Sequence, residues 1–201
     1  MEIKIDRLGK RYQHGWVFKD LSYTFKEGTV YGVAGRNGSG KSTFLKIISG
    51  LLSSTQGLIH YEHLHHLIHR ASIYTQVSVA APYTELIEEC NLAEMIDFHI
   101  QFKPSKTLHS VSDWLDIMEL QHARQRPLYQ FSSGMKQRVK LALAMYSASK
   151  ILILDEPTSN LDDAAKLWFF SHLEKNVEEK IVLIASNEIM DFKLCSEILQ
   201  M

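Results

Sequence analysis

A glycine-rich segment followed by lysine and serine is the clearest chemical feature of the 201-residue sequence. Residues 35–42 read GRNGSGKS and fit the spacing G-x-x-x-x-G-K-[ST]. Glycines let successive backbone N–H groups turn towards phosphate oxygens, and a following helix adds the positive end of its dipole. The lysine can reach the β- and γ-phosphates, and the serine hydroxyl can bind Mg²⁺. The segment predicts an ATP site made of Gly35, Arg36, Asn37, Gly38, Ser39, Gly40, Lys41, Ser42 and Thr43.

Two acids, Asp155 and Glu156, directly follow the apolar run 151–154. In an open parallel sheet, ligands bind beyond the carboxyl ends of the strands. We therefore expect Asp155 to reach Mg²⁺, through water, and Glu156 to polarise an attacking water as general base. Two solvated acids at the start of a turn are the alternative. The phosphate loop elsewhere in the chain makes that alternative the weaker one.

The spacing of apolar residues predicts the elements that position these groups. Residues 41–52 and 132–149 have helical composition, and 83–126 has apolar residues at helical spacing with few strand signals, which predicts a helical insertion. Strands that alternate with helices indicate a parallel sheet covered on both faces. Strand-like runs are found at residues 2–7, 17–25, 29–34, 57–61, 71–75, 151–154, 180–185 and 197–201.

Composition and charge exclude several classes of protein. The formal net charge is -1, which gives no basic footprint for nucleic acid over the whole chain. Cys90 and Cys195 lie far apart, in no metal-ligand spacing, and are interpreted as free thiols. The first ten residues lack the apolar core of a signal peptide, and no window approaches 18 consecutive apolar residues. A membrane, if one is involved, would be reached through another polypeptide.

Four further motifs resemble those of ABC transporter ATP-binding subunits. Residues 131–138 (FSSGMKQR) look like the signature motif, and 155–162 (DEPTSNLD) match the Walker B motif and D-loop. Gln76 falls where the Q-loop glutamine is expected, and Tyr12 matches the aromatic residue that stacks on adenine. Trp16 is a second aromatic residue close to Tyr12 and the alternative for that role. The resemblance extends over almost the whole chain.

The resemblance implies an α/β fold of the P-loop NTPase (RecA-like) class. It implies a parallel sheet core, an N-terminal antiparallel β region and a helical subdomain within one ABC ATPase domain, residues 1–201. The α/β core with its β region would comprise 1–76 and 128–201, and the helical subdomain 77–127. That subdomain would carry the groove for a coupling helix of the membrane subunit, with Pro82, Tyr83, Leu86 and Ile87 as candidates, although ordinary core packing is favoured for each one.

The resemblance also implies a head-to-tail dimer that binds two ATP molecules between the phosphate loop of one subunit and the signature of the other. The signature residues acting in trans would be Ser132, Ser133, Gly134 and Met135, and the D-loop Ser159, Asn160, Leu161 and Asp162. Mg²⁺ would be held by Ser42, Gln76 and Asp155. The catalytic residues would be Glu156, Gln76 and Asn187.

The implied partners are a second ABC ATPase subunit, identical or different, and separate transmembrane permease subunits, with no nucleic acid. The implied location is cytoplasmic and peripheral, on the inner face of the cell membrane. Compact size and a short C-terminal tail favour export, and we expect no appended regulatory domain. Two alternatives stay open, namely a soluble ABC ATPase acting on nucleic acid or ribosomes and a nucleotide-gated module with weak turnover.

Three features depart from the family pattern or lie outside it. Asn187 occupies the place of the switch histidine, and an amide can hydrogen-bond to a γ-phosphate but cannot carry a proton. Ser133 and Met135 replace the glycine and glutamine of the signature, and we expect the small serine to be tolerated. A histidine cluster could be a metal site or a pH sensor, but it lacks a zinc spacing and an exposed turn is favoured; it comprises His60, His63, His65, His66 and His69.

Overall fold

Strands and helices alternate through most of the chain in the computed structural model, which describes residues 1–13 and 15–201. The strands of these residues are β1 (Glu2–Tyr12), β2 (Gly15–Lys26), β3 (Thr29–Ala34), β4 (Gln56–His63), β5 (His66–Ile68), β6 (Val77–Ala80), β7 (Ile151–Asp155), β8 (Ile181–Ala185) and β9 (Glu197–Gln200). The α-helices are α1 (Lys41–Ile48), α2 (Leu92–Phe102), α3 (Val111–Met118), α4 (Ser133–Tyr146) and α5 (Asp163–Glu174).

A five-stranded parallel sheet with the order β6-β7-β8-β3-β9 forms the centre of the fold. Strand β8 pairs with β3 on one side and with β7 on the other. Ala185 at the end of β8 lies opposite Val33 in one pairing and opposite Asp155 in the other. The carboxyl ends of these three strands therefore meet at one edge, where ligands of such sheets bind.

The two faces of the parallel sheet are covered by different layers. Side chains alternate along β7 and β8, as the pleat of a strand requires. Ile153 and Leu183 face the second, antiparallel sheet and α1, while Leu154 and Ile184 face a cluster built from α2 to α5. All four side chains are fully buried. The prediction of an α/β fold with a parallel sheet covered on both faces is confirmed.

The antiparallel sheet has the order β2-β1-β4-β5 and forms the expected N-terminal β region. Strand β1 pairs with β2 and with β4. Its inward residues Ile3, Ile5 and Leu8 are buried with Phe44 of α1. This packing fixes α1, and with it the end of the phosphate loop, against the β region.

The helical segment is built on well-capped helices. At α2, Asn91 accepts from the Glu94 N–H and the Glu94 carboxylate accepts from the Asn91 N–H, and Ser110 and Asp113 do the same at α3. Such capping boxes satisfy backbone donors that a helix leaves free at its start. Trp114 of α3 is fully buried in the cluster that α4 also lines.

Two assignments from the sequence are wrong in the stretch before this segment. Residues 71–75, predicted as a strand, lie in a 3₁₀-helix (Arg70–Gln76). The His69 ring accepts from the Ala71 N–H, and the Thr75 hydroxyl donates to the Ser72 carbonyl, so local side-chain bonds replace a strand ladder. Residues 77–80, placed in the helical subdomain, form β6 and pair with β7 in the parallel sheet.

Other predicted elements differ in extent. The helix predicted over 41–52 ends at Ile48, because Gly50 takes a φ of 82° and a Cβ there would lie 2.6 Å from Ile73. Strand β1 runs five residues beyond the predicted 2–7. Helix α5 was not predicted at all, and it begins where the Asp162 side chain caps the Ala165 N–H.

The histidine cluster lies on and beside the β4–β5 hairpin. His63 and His66 face each other across it, and Leu64 and His65 form its turn with positive φ angles of 50° and 64°. Among the described residues, no group of three or more histidine, cysteine or acidic side chains is placed to hold a metal ion. In the same residues, no helix is both long and apolar enough to cross a membrane.

The buried ring of His99 predicts an acid-sensitive link between the helical segment and α4. His99 contacts the Ser147 hydroxyl at 2.9 Å and packs edge-on against Trp114. Burial lowers the pKa of His99 to about 4. An unfolded chain binds a proton at this residue near pH 6.5, so the wild type loses stability as the pH falls from about 6.5 to about 4.

We expect His99→Gln to be less acid-sensitive than the wild type. Its free energy of unfolding, relative to the wild type, should rise by up to about 3 kcal/mol between pH 6.5 and pH 4. Urea unfolding at a series of pH values measures this difference. His109→Gln, which changes an exposed histidine, is the matched control and should follow the wild-type pH dependence. An equal pH slope in all three proteins would contradict the expectation.

Candidate nucleotide site

The phosphate loop connects β3 to α1 and follows from the backbone freedom of Gly40. Gly40 has a φ of 106°, and a Cβ at this position would lie 2.4 Å from the Val17 side chain. Only glycine fits both conditions. Helix α1 begins at Lys41 without a side-chain cap, so the N–H groups of its first turn are not capped from within the loop. Arg36, Asn37, Gly38 and Ser39 form the loop, and Ser42 and Thr43 lie in that first turn.

The Lys41 ammonium lies inside the loop. It donates to the Gly35 carbonyl at 2.9 Å and to the Arg36 carbonyl at 3.4 Å. Its third contact is the Asn187 Oδ1 atom at 2.8 Å. Backbone and amide oxygens thus orient a buried cation at the carboxyl edge of the sheet.

Asn187 joins the phosphate loop to the acidic end of β7. Its amide nitrogen donates to Glu156 Oε1 at 2.9 Å and to Asn37 Oδ1 at 2.6 Å, while its oxygen accepts from Lys41. Asn187 follows β8, Glu156 follows β7 and Lys41 follows β3, so three neighbouring strands bring them together. We refer to Lys41, Asn187 and Glu156 as the amide bridge.

The two acids at the end of β7, Asp155 and Glu156, have different surroundings. Glu156 has a φ of 50°, an uncommon conformation for a residue with a side chain, and its Oε2 accepts from the Ser186 hydroxyl at 3.1 Å. Asp155 is buried, and its Oδ2 has no hydrogen-bond partner within the described residues. Burial raises the pKa of Asp155, while the nearby Ser42 hydroxyl lowers it. An orphaned carboxylate oxygen beside a hydroxyl is suited to a divalent cation.

Gln76 lies at the opposite end of the sheet, so its assignment to catalysis and to Mg²⁺ is wrong. It precedes β6, and β6 runs parallel to β7 with Val77 opposite Ile151. Its carbonyl accepts from the Lys150 N–H, at the start of β7, and its amide nitrogen contacts the Thr75 hydroxyl. The four residues of β6 separate it from the carboxyl edge by about 13 Å at 3.3 Å per residue.

The signature residues begin α4 and contact the D-loop. Ser132 is the N-cap, and its hydroxyl accepts from the Met135 N–H at 3.2 Å, while Ser133 is exposed. A Cβ on Gly134 would lie 2.9 Å from the Asn160 carbonyl oxygen, so glycine allows this close approach. The start of α4 and the D-loop therefore form one packed unit.

The D-loop is anchored at both ends. The Ser159 hydroxyl donates to the Glu156 carbonyl at 2.8 Å, and the Asp162 side chain caps α5. Leu161 between them is buried. These contacts fix the loop relative to the general-base candidate at one end and to α5 at the other.

The aromatic candidates lie on the β1–β2 hairpin. Tyr12 is 49% exposed and carries the Lys10 ammonium 5.0 Å from its ring centre. The Trp16 ring lies over Gly9, where a Cβ would approach it to 2.9 Å. The phosphate-loop cavity is instead lined by Val17, the next residue of β2.

Sequence reasoning missed two residues that shape the site. Val17 packs against Gly40, and no motif marks it. Gln137 is buried in α4 and donates to the Pro157 carbonyl at 2.8 Å, which ties α4 to the turn after Glu156. Its position within residues 131–138, the segment that resembles the signature motif, was the available signal.

Fold and site together define a P-loop ATP-binding domain. A family model described as "ABC transporter" matches residues 18–159. The lantibiotic transport ATP-binding protein SrtF of Streptococcus pyogenes is 32% identical over 94% of this chain and 80% of its own length. The cytochrome c biogenesis ATP-binding export protein CcmA of Agrobacterium fabrum is 30% identical over 98% of this chain and 94% of its own length.

Among solved structures, the ATP-binding cassette MJ0796, a dimer bound to ADP and phosphate, has the same fold. Its TM-score is 0.85 at 23% identity, with 99% of this chain and 94% of that chain covered. The family match and the relatives show that the chain belongs to the ABC transporter family. It is of the ATP-binding subunit type, which makes it an ATPase.

Proposed function

We propose that the chain is one half of a dimeric ATPase that drives outward transport through separate membrane subunits. The observation that carries the proposal is the amide bridge, in which Asn187 connects Lys41 of the phosphate loop to Glu156 at distances of 2.8 Å and 2.9 Å. It brings a cation for phosphate oxygens and a carboxylate for a water molecule to the same edge of the sheet. That is the arrangement that phosphoryl transfer to water requires.

The phosphate-binding part of the proposal depends on the loop and on α1. Backbone N–H groups of residues 38–43 would bind phosphate oxygens at the positive end of the helix dipole. The Lys41 ammonium would contact the γ-phosphate in place of its present carbonyl acceptors. Tyr12 and Val17 would contact the nucleoside, because their hairpin borders the loop at Gly40.

Asp155 and Ser42 are the proposed ligands of Mg²⁺. Their fit rests on the partnerless Oδ2 of Asp155 and on the Ser42 hydroxyl beside it. Both groups supply the hard oxygen donors that this ion prefers. When bound, Mg²⁺ offsets charge on the β- and γ-phosphate oxygens.

Glu156 is the proposed general base. The oxygen of the attacking water forms a bond to the γ-phosphorus, the bond to the β–γ bridging oxygen breaks, and the carboxylate takes the proton of the water. The products are ADP and inorganic phosphate. Ser186 and Asn187 each donate to one carboxylate oxygen, which fixes the orientation of the base.

The proposed dimer places the start of α4 of one subunit on the nucleotide of the other. The Ser132 cap accepts from Met135, and the first turn of a 14-residue helix supplies further N–H donors. ATP offers a γ-phosphate to these donors and ADP does not, so ATP favours the closed dimer. Support comes from the dimeric cassette MJ0796 and from the packing of the D-loop on α4.

The transport part of the proposal rests on the relatives. SrtF is named for lantibiotic transport and CcmA for export, and each covers most of this chain. We therefore propose permease subunits as partners, a second ABC ATPase subunit that is identical or different, and a position at the inner face of the cell membrane. The groove candidates on the helical segment are Leu86 and Ile87, of which Ile87 is 40% exposed.

Glu156→Gln should trap the dimer in the presence of ATP. The amide keeps the size of the side chain but cannot accept the proton of the water, so ATP stays bound. Size-exclusion chromatography with light scattering should show a dimer with ATP and Mg²⁺ and a monomer with ADP. Glu178→Gln, an exposed site with the same charge change, serves as the control and should stay monomeric while it hydrolyses ATP. A monomeric Glu156→Gln protein with bound ATP would contradict the dimer.

Asn187→His should raise the ATPase rate by about three- to tenfold over the wild type, because histidine can carry a proton and a positive charge next to the γ-phosphate. Asn187→Ala should lower the rate, because Lys41 and Glu156 then lose the amide between them. ATP-dependent dimerisation should be largely kept in both variants. Steady-state phosphate release measures the ATPase rates of the three proteins. A histidine variant slower than the wild type would count against this role of Asn187.

Purification of the tagged chain from detergent-solubilised membranes of its own source should recover a polytopic membrane protein. For each ATPase dimer, we expect either one large membrane protein or two smaller ones. Vesicles containing the complex would then give the direction of cargo movement. Recovery of RNA or ribosomal proteins, with no membrane protein, would favour the soluble ABC ATPase.

A further inference from the structure

The turn after β6 occupies the place that Gln76 was expected to fill. Strand β6 ends at Ala80, opposite Leu154, so residues 81–84 leave the sheet beside Asp155. The turn is well held. The Thr84 hydroxyl contacts both the N–H and the carbonyl of Ala81, and the Lys140 ammonium donates to the same carbonyl at 3.1 Å.

Tyr83 is the side chain of this turn that points into the protein. Its hydroxyl is buried and has no hydrogen-bond partner within the described residues. Its ring lies under the Lys46 ammonium, which is 3.9 Å from the ring centre. Lys46 is four residues after Ser42 and thus one helical turn further along α1, on the same face. The ring is therefore fixed between the turn and the helix that carries the magnesium candidate Ser42.

This region contains two buried polar atoms without partners within the described residues. One is the Tyr83 hydroxyl and the other is Oδ2 of Asp155. Burial and the nearby Asp155 carboxylate raise the pKa of Tyr83, so the hydroxyl is protonated at neutral pH. A neutral phenol can donate one hydrogen bond and accept another. Buried polar atoms are almost always paired, so two unpaired atoms in one region of the site indicate that a group outside the chain pairs with them.

We infer that Tyr83 is a positioning residue whose hydroxyl hydrogen-bonds to the water shell of a Mg²⁺ ion held by Asp155 and Ser42. The inference rests on the proposed function, and it gives Tyr83 the task that the family resemblance assigned to Gln76. Tyr83 also begins the segment that leads to α2. Contact with the metal shell would therefore connect the ATP site to the helical segment through the turn that Lys140 of α4 holds.

Tyr83→Phe tests the inference because it removes the hydroxyl and keeps the ring under Lys46. Without ligands, the variant should melt at the wild-type temperature or above it, because the lost hydroxyl had no partner. The Mg²⁺ concentration that gives half-maximal thermal stabilisation by a non-hydrolysable ATP analogue should rise about three- to tenfold, as loss of one hydrogen bond implies. Binding of the analogue without Mg²⁺ should stay within about twofold of the wild type.

Tyr74→Phe is the matched control, since Tyr74 is 67% exposed and the substitution removes the same hydroxyl group. Its Mg²⁺ requirement should equal that of the wild type. Titration with Mn²⁺, followed by electron paramagnetic resonance in the presence of the analogue, gives a second readout of metal affinity that does not depend on melting.

An unchanged Mg²⁺ and Mn²⁺ requirement in Tyr83→Phe would overturn the inference and leave the proposed function intact. A lower melting temperature without ligands, together with an unchanged metal requirement, would show that the hydroxyl supports the fold instead. Absence of any stabilisation of the wild type by the analogue with Mg²⁺ would remove the proposed function and this inference together.

Discussion

The parallel register of β3, β7 and β8 is the constraint on which the site depends. Ala185 lies opposite both Val33 and Asp155, so the three strands end together and their following residues share one edge. Lys41 lies more than a hundred residues before Glu156 and Asn187, and this register brings the side chains of Lys41 and Glu156 within hydrogen-bond distance of Asn187. The two buried layers on either side of the sheet hold the register, since a shift by one residue would exchange their side chains.

A neutral amide connects the cation and the anion at this edge of the sheet. Asn187 accepts from the Lys41 ammonium and donates to the Glu156 carboxylate, so cation and anion are joined without direct contact. An amide can satisfy both partners at once because it carries an acceptor and two donors. Unlike histidine, an amide cannot carry a proton. We therefore expect Asn187 to affect the rate of phosphoryl transfer more than the binding of ATP.

Motifs of fixed local spacing could be predicted from the sequence, and positions that depend on register could not. The loop from Gly35 to Ser42 and the acids Asp155 and Glu156 are set by neighbours in the chain; the loop connects β3 to α1, and the acids lie where β7 ends. Gln76 matches the order of the family's motifs along the chain, but it ends a 3₁₀-helix and precedes β6, so it lies at the opposite end of the sheet from the site. Tyr83 belongs to no recognised motif, and only its buried hydroxyl without a partner indicates a role in the site.

Helix α4 contacts two segments of the site, the D-loop and the turn that carries Tyr83. Gly134 in its first turn packs on the D-loop, and Lys140, six residues on, holds the turn of Tyr83. At 1.5 Å per residue, about 9 Å of rigid helix separates these contacts. In the proposed dimer, the first contact belongs to the nucleotide of the neighbouring subunit and the second to the subunit's own nucleotide. In that dimer, one rigid helix would contact both nucleotide sites, at its first turn and again near Lys140.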